Sequence, residues 1–341
     1  MSLSSEVAPK GPVRWVASMI RAAVASPLTG LGGAALLWSG NFVVARALRG
    51  EVSPVSLNFW RWSIALAILL PLAWKGLKQH RRLILRHWRL LALLGLTGIA
   101  CFHTAVYLAL AKTSAVNALL LLSLAPLLIS ALSWAMLGER LTPLQLAGVA
   151  IAFVGAVALI ARGSLALFAS FGLRGGDAWM LLAVGLWAAY SLLLKRLPAE
   201  LPQLVVLTAT SAAAVALMLP LYACLAPNEH PLSLGWQARW GILYVAAFAS
   251  VAGFMLWNRG VSVIGPSRAA AFIYLMPAFG AALAVALLGE TLHLYQLASG
   301  VLILVGISAM NWKRRARANP QAPPVRDPHA DSRTAGCSPG R

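Results

Sequence analysis

Acidic residues are scarce in this chain: nine Asp and Glu stand against 28 Lys and Arg in 341 residues, and charged residues of every kind make up 11%. A soluble domain carries roughly 25%. The deficit runs the whole length, so a water-facing shell cannot be assembled from it, and the composition reads as a polytopic membrane protein. Cysteine is equally thin. Cys101, Cys224 and Cys337 have neither disulfide nor metal spacing, so no staple, metal or cofactor is expected. The formal charge of +19 does not sit on a basic folded domain, which argues against a nucleic-acid partner. Its bases cluster between apolar stretches instead, as cytoplasmic loops do beside anionic lipid. There is no long polar domain of the kind a receptor or scaffold would carry. An intramembrane enzyme would need a Ser/His dyad, an HExxH helix or paired aspartates on one face, and none is present.

What the chain has is hydrocarbon, 60% of its residues. A bilayer core takes about 20 apolar residues per helix. Ten stretches qualify, at roughly 29–48, 54–76, 90–111, 114–138, 143–162, 177–194, 202–224, 239–259, 267–288 and 292–312. Residues 1–28 read as a basic interfacial segment, because Arg21 breaks the apolar run a cleaved signal would need. Residues 163–176 read as a linker, and the Pro- and Arg-rich 313–341 as a disordered basic tail. With the N-terminus inside, 21 of the 28 bases fall in inner segments, so both termini are expected in the cytoplasm.

The chain says one thing twice. "MLGERLTPLQLA" from Met136 and "LLGETLHLYQLA" from Leu287 share seven of twelve positions at an offset of 151. At that offset Pro126 also meets Pro277, Glu139 meets Glu290, and Gly155 meets Gly306, while Ser299 replaces Gly148. Trp38 and Trp187 pair at an offset of 149, each followed eight residues on by a base, Arg46 or Lys195. Two five-helix halves follow, 29–162 and 177–312. Five is odd, so the second half enters the membrane from the opposite side. The expected fold is therefore all-α and integral to the membrane, ten transmembrane helices in two inverted five-helix repeats. That is the architecture of many secondary transporters, which alternate access by exchanging the conformations of their halves.

"LLWSGNFVVAR", "ALAKTSAVNALLLLSLAPLL", "LGERLTPLQLAGVAIAFVGAVAL" and "IYLMPAFGAALAVALLGETLHLYQLASGVLILVG" resemble the EamA-type units of the drug/metabolite transporter superfamily. The resemblance covers about residues 30–312. It implies ten helices, inverted repeats, and movement of small metabolites, commonly outward, across a bacterial inner membrane. Export of amino acids or similar amphiphiles is the leading reading. Uptake of a nucleobase-like or other small metabolite is the alternative. Monomer and homodimer both fit.

Polar groups are costly at mid-span, so those present are informative. No Asp or Glu falls in the middle of a span. His103 is the one central group able to carry a proton, and hence the candidate for proton coupling, against a neutral histidine donating to a carbonyl. Trp38, Asn41, His103, Tyr107, Ser123, Trp187, Tyr190 and Tyr274 are the candidate lining of a central substrate cavity. Trp257 and Asn258 read as interfacial belt. Arg61 could snorkel, pair with Glu290 or a substrate carboxylate, or brace the fold; the resemblance, which also carries an arginine here, favours bracing. Pro126 and Pro277, read as mid-helix, should each free a carbonyl four residues back, at Leu122 and Ile273, and act as hinges. Glu139 and Glu290 close their helices against the macrodipole and need a donor, as a turn clamp or gate. Thr142, Pro143 and Gln145 spell a capping box, with His293 at the equivalent place before Gln296.

Overall fold

The computed structural model describes residues 26–48, 50–112, 118, 121–161, 175–225, 234–288 and 294–312. Glu290, His293, nearly all of the basic N-terminal segment and of the linker, and the tail from Lys313 lie outside them. Met1–Asn311 forms one compact unit, to which every element below belongs. In the second unit, Trp312–Arg341, Trp312 is described and is exposed.

The described elements are helical throughout: α1 Pro27–Ala47, α2 Pro54–Gln79, α3 Trp88–Lys112, α4 Ala125–Leu137, α5 Pro143–Ile160, α6 Asp177–Leu193, α7 Gln203–Leu225, α8 Trp236–Ile264, α9 Leu275–Leu288 and α10 Leu294–Met310. Among the described residues, seven are long and apolar enough to cross a membrane (α1, α2, α3, α5, α6, α7 and α8), and α4 and α10 are shorter apolar helices. Their starts are written locally. Ser53 caps α2 by accepting from the Ser56 amide, with Pro54 in the first position, where a missing N–H costs nothing. Thr142 and Gln145 form the expected reciprocal box at α5. Gly138, at φ +69°, ends α4 in the left-handed conformation that favours glycine.

The burial pattern is inside-out. Leu72, Leu146, Val154, Leu219, Leu294 and Val301 face outward, while Asn41, Asn58, Arg61, His103 and Asn258 are buried. A soluble monomer rarely exposes so much contiguous hydrocarbon. In lipid it is the solvated surface, and the buried polar groups find their partners inside the protein, though Asn58 Oδ1, Arg61 Nη2 and Asn258 Nδ2 are left without one.

Helices pair in a way that survives exchange of the halves. α1 packs on α8 as α6 packs on α3; α1 on α9 as α6 on α4; α2 pairs with α7 and α5 with α10. At the last contact a methyl on Gly148 would lie 2.7 Å from the Gly306 carbonyl and the Met310 amide, and one on Gly155 would lie 3.0 Å from the Ser299 carbonyl. So α5 and α10 run antiparallel, and repeat-related residues trade places: Gly148 meets Gly306, and Gly155 meets Ser299.

Two expectations need correcting. Pro126 is not mid-helix: the chain turns at Ser123–Leu124 and α4 opens at Ala125, so the proline occupies a first-turn position. Pro277 is the third residue of α9, and the residues before it, Ala271–Tyr274, have tightened to a 3-10 turn. The cause is the same in both halves. A proline ring clashes with the preceding turn, and the chain either breaks or overwinds there. Two π-helical stretches, Leu96–Cys101 in α3 and Val245–Ala252 in α8, and a 3-10 turn at Leu194–Arg196 after α6 also depart from regular α-helix.

Candidate functional site

The halves meet on an aromatic cluster. Trp38 of α1 stands edge-on to Trp187 of α6, with ring centroids 5.2 Å apart, and Trp257 lies 5.4 Å from Trp38 and 5.2 Å from Trp187. Trp187 also stacks on Tyr190 at 5.2 Å and leans on Phe102 at 4.8 Å, while Phe254 touches Trp38 at 5.8 Å. Edge-to-face and offset pairs of this kind add roughly 0.5–1.5 kcal/mol each beyond area burial. The close approach depends on two glycines in or beside the π-helical stretches. A methyl on Gly253 would come within 2.7 Å of Trp38 Nε1, and one on Gly98 would overlap the Tyr190 ring. The Trp38 indole donates to the Ala249 carbonyl at 3.0 Å, inside the π-helical part of α8.

A cavity of about 30 Å3 lies against this cluster, lined by Trp38, Asn41, His103, Trp187, Phe254 and Met276 among others. Leu122 and Ile273, the residues four before the two prolines, also line it. A water needs roughly 10–15 Å3, so the space takes about two waters and no metabolite. His103 Nδ1 lies 3.3 Å from the Ile99 carbonyl, within its own helix.

Beside the cavity the same hydrogen bond is made twice with the partners exchanged. Tyr107 Oη donates to Asn41 Oδ1 at 3.0 Å in the first half; Tyr190 Oη donates to Asn258 Oδ1 at 2.7 Å in the second. Asn41 corresponds to Tyr190 at the 149 offset, and Tyr107 to Asn258 at 151. Arg61 joins the first pair only. Its guanidinium donates to Asn41 Oδ1 (3.2 Å), to the Tyr107 hydroxyl, and through Nε to Ser250 Oγ in α8 (2.9 Å). Snorkelling is excluded, because Arg61 is fully buried.

Of the expected lining residues, then, Trp38, Asn41, His103 and Trp187 are brought to the cavity. Tyr107 and Tyr190 stand behind it, as bonded partners. Ser123 is buried without lining it, and Tyr274 turns toward Phe153 of α5, ring centroids 6.3 Å apart, with its hydroxyl unpartnered. Trp257 and Asn258 are not interfacial: both are buried, the first in the cluster and the second on Tyr190. Glu139 has the donor it needed, Ser267 Oγ at 2.9 Å, just before α9. Phe102 and Phe254 carried no repeat signal in the sequence, because at the 151 offset of α3 and α8 Phe102 matches Gly253 and Phe254 matches His103. Ser250 carried no signal at all. Among the described residues no group of three His, Cys, Asp or Glu gathers to hold a metal.

A lipid-facing exterior, a buried polar network and a small cavity between two matching halves define a multi-pass membrane protein built around a small internal site. The chain belongs to the EamA-like transporter family, whose pattern matches residues 27–161 and again 174–312. It is 28% identical over 280 residues, 81% of this chain and 90% of the other, to a Bacillus subtilis (strain 168) protein named uncharacterized transporter YyaM. It is 25% identical over 291 residues, 85% of this chain and 94% of the other, to a probable terminal-alkyne amino-acid exporter of Streptantibioticus cattleyicolor. A probable amino-acid metabolite efflux pump of Salmonella typhimurium is 30% identical over 176 residues, 50% of this chain and 58% of its own. A solved crystal structure superposes with a TM-score of 0.65 at 21% identity, covering 82% of this chain and 96% of that one, which establishes likeness of fold alone. Family and relatives mark the chain as a small-molecule transporter rather than an enzyme.

Proposed function

We propose that the protein is an alternating-access secondary exporter of small amphiphiles, amino acids or their close relatives, in a bacterial inner membrane. Ten spans form two inverted five-helix repeats, with both termini cytoplasmic. The observation that carries this is the meeting of two repeat-related tryptophans, Trp38 and Trp187, on one cavity between the halves. The antiparallel α5–α10 contact and the pairings that survive exchange of halves support the inversion. The names of the Streptantibioticus and Salmonella relatives support the direction and the substrate class. The cavity as it stands is too small for any metabolite, so the aromatic walls must part for substrate to enter. His103, on the cavity wall, is the group through which proton coupling would run. Glu139 on Ser267 ties the end of α4 to the segment between α8 and α9 of the second half, on the cytoplasmic face, and Glu290 would act as its counterpart outside. Flux in proteoliposomes, with labelled amino acids and with or without a pH gradient, tests the reading. No flux for any solute would remove it.

Topology has its own test. Glu51 shares a surface recess with Gly235 and Trp236, so the loop after α1 and the start of α8 lie together, as two outer segments should. In a background without the native cysteines, Glu51→Cys should react with an impermeant maleimide from outside, and Arg82→Cys should not. The reverse pattern defeats the orientation.

The prolines are the hinges in this scheme. Pro126→Ala and Pro277→Ala restore a donor for the carbonyls of Leu122 and Ile273 and should stiffen the break before each helix. Affinity for a transported amino acid should stay within about threefold while flux falls severalfold, because exchange between states alone is slowed. Wild-type flux in both variants would reduce the prolines to static turns.

A further inference from the structure

Arg61 carries a full positive charge in the middle of the protein, and its partners are a carboxamide, a phenol and a hydroxyl, none of them an anion. Its Cζ lies 5.6 Å from the Trp62 ring centroid and 6.0 Å from that of Tyr107, contacts that spread the charge without neutralising it. Nη2 has no hydrogen-bond partner. A buried cation with an unused donor, in a region where charge is costly, points to a functional counter-ion.

The second half shows that the fold does not need this cation. The position matching Arg61 at the 149 offset is Thr210, whose hydroxyl turns back to its own helix, to the carbonyls of Val206 and Leu207. The Tyr190–Asn258 pair is made there without any guanidinium, at a shorter distance than Tyr107–Asn41. Bracing an Asn–Tyr pair between α1 and α3 therefore does not explain Arg61.

The guanidinium is also one hydrogen bond from the cavity, because Asn41, which accepts from Nη1, lines it. We propose that Arg61 is the specificity-determining anchor for a carboxylate on the transported molecule. As the halves part, the carboxylate takes Nη1 and Nη2 in the two-point geometry that guanidinium favours, and the Asn41 side chain yields its place. Nε remains on Ser250 of the π-helical stretch, so the bound anion is felt directly by a helix of the other half. This rests on the transporter reading above. It deepens that reading by selecting among small amphiphiles for those with a free carboxylate.

The test uses the purified full-length chain and matched acid–amide pairs: L-leucine with L-leucinamide, L-methionine with L-methioninamide, and 4-methylpentanoate with 4-methylpentanamide. Tryptophan fluorescence, from rings beside the cavity, reads the affinity. At least one acid should bind tenfold or more tightly than its amide. Arg61→Gln should bring the members of that pair to within about twofold, while Arg61→Lys should keep the order with weaker binding. A purely structural arginine would lower the melting temperature in Arg61→Gln and leave the acid-to-amide ratio alone, and that result overturns the anchor. Amides binding as well as acids, or no acid binding, overturns it in the wild type without any variant, so a failure of Arg61→Gln to fold does not rescue it. In proteoliposomes, flux of amides without flux of acids removes the anchor and leaves the transporter. Absence of all flux removes the transporter reading itself.

Discussion

Gly306→Ala should lower the melting temperature of the purified protein by several degrees and Gly306→Leu should prevent stable folding. A methyl at this position would sit 2.5 Å from the Ala152 amide nitrogen and from the Gly148 carbonyl oxygen. Both are backbone atoms, so no rotamer change relieves the overlap, and α5 and α10 must move apart along their whole contact. Overpacking of this kind costs about 1–3 kcal/mol for small additions, and helix pairs in lipid have little hydrophobic force to offset it. Gly280→Ala is the control, because a methyl there meets nothing within 4 Å. Equal thermal stability for Gly306→Ala and Gly280→Ala would show that the α5–α10 contact is looser than described. Activity should fall with stability here, since the contact joins the two halves.

The largest effect on transport is expected at the tryptophan pair. Trp187→Ala removes the ring that touches Trp38, Trp257, Phe102 and Tyr190 and opens the cavity wall. Trp38→Ala removes the opposite wall and leaves the Ala249 carbonyl without its indole donor. Flux should fall at least tenfold in each. Trp38→Phe separates the two contributions: it keeps an aromatic face and loses the hydrogen bond, and should retain an intermediate rate. The measurement is initial rate per correctly folded molecule, judged by monodispersity and melting temperature, because truncating a buried tryptophan costs about 3–5 kcal/mol of stability on its own. Unchanged flux in Trp38→Ala and Trp187→Ala would mean that the substrate takes another route.

Several features were legible before any coordinates. The shortage of charge required a lipid-facing exterior, and Leu146, Val154 and Val301 are found there. The capping signature at Thr142 acts within three residues, and such short-range chemistry survives almost any tertiary context. The repeat set Trp38 against Trp187 by arithmetic alone. Pro126 and Pro277 were located as disturbances, but their form was misread. A proline interior to an apolar run reads as a kink, whereas these two begin helices that follow a break or a 3-10 turn. Sequence reports that an intrahelical bond is lost, and the surroundings select how the chain absorbs the loss.

The roles of polar side chains divide along the same line. That Asn41, Arg61, Tyr107, Tyr190 and Asn258 must be satisfied inside the protein follows from residue type and span, since lipid supplies no partner. Which atoms satisfy which could not be read, because each bond joins helices far apart in the chain. Arg61 finds Ser250 across 189 residues, and Trp38 finds Ala249 across 211. The π-helical stretches were equally hidden. They rotate the following residues of α3 and α8 by a fraction of a turn, and no local composition marks them. Trp257 and Asn258 were assigned to the bilayer interface on their residue types, and that rotation, together with the packing of α1 on α8, turned them into the core. Sequence by itself thus determined the medium and the presence of two like halves, which depend on composition and on short repeated strings. The tertiary structure decided which of the duplicated polar and aromatic groups face the cavity, which face each other, and that Arg61 is buried among a carboxamide, a phenol and a hydroxyl, because those outcomes depend on the rotation and approach of whole helices.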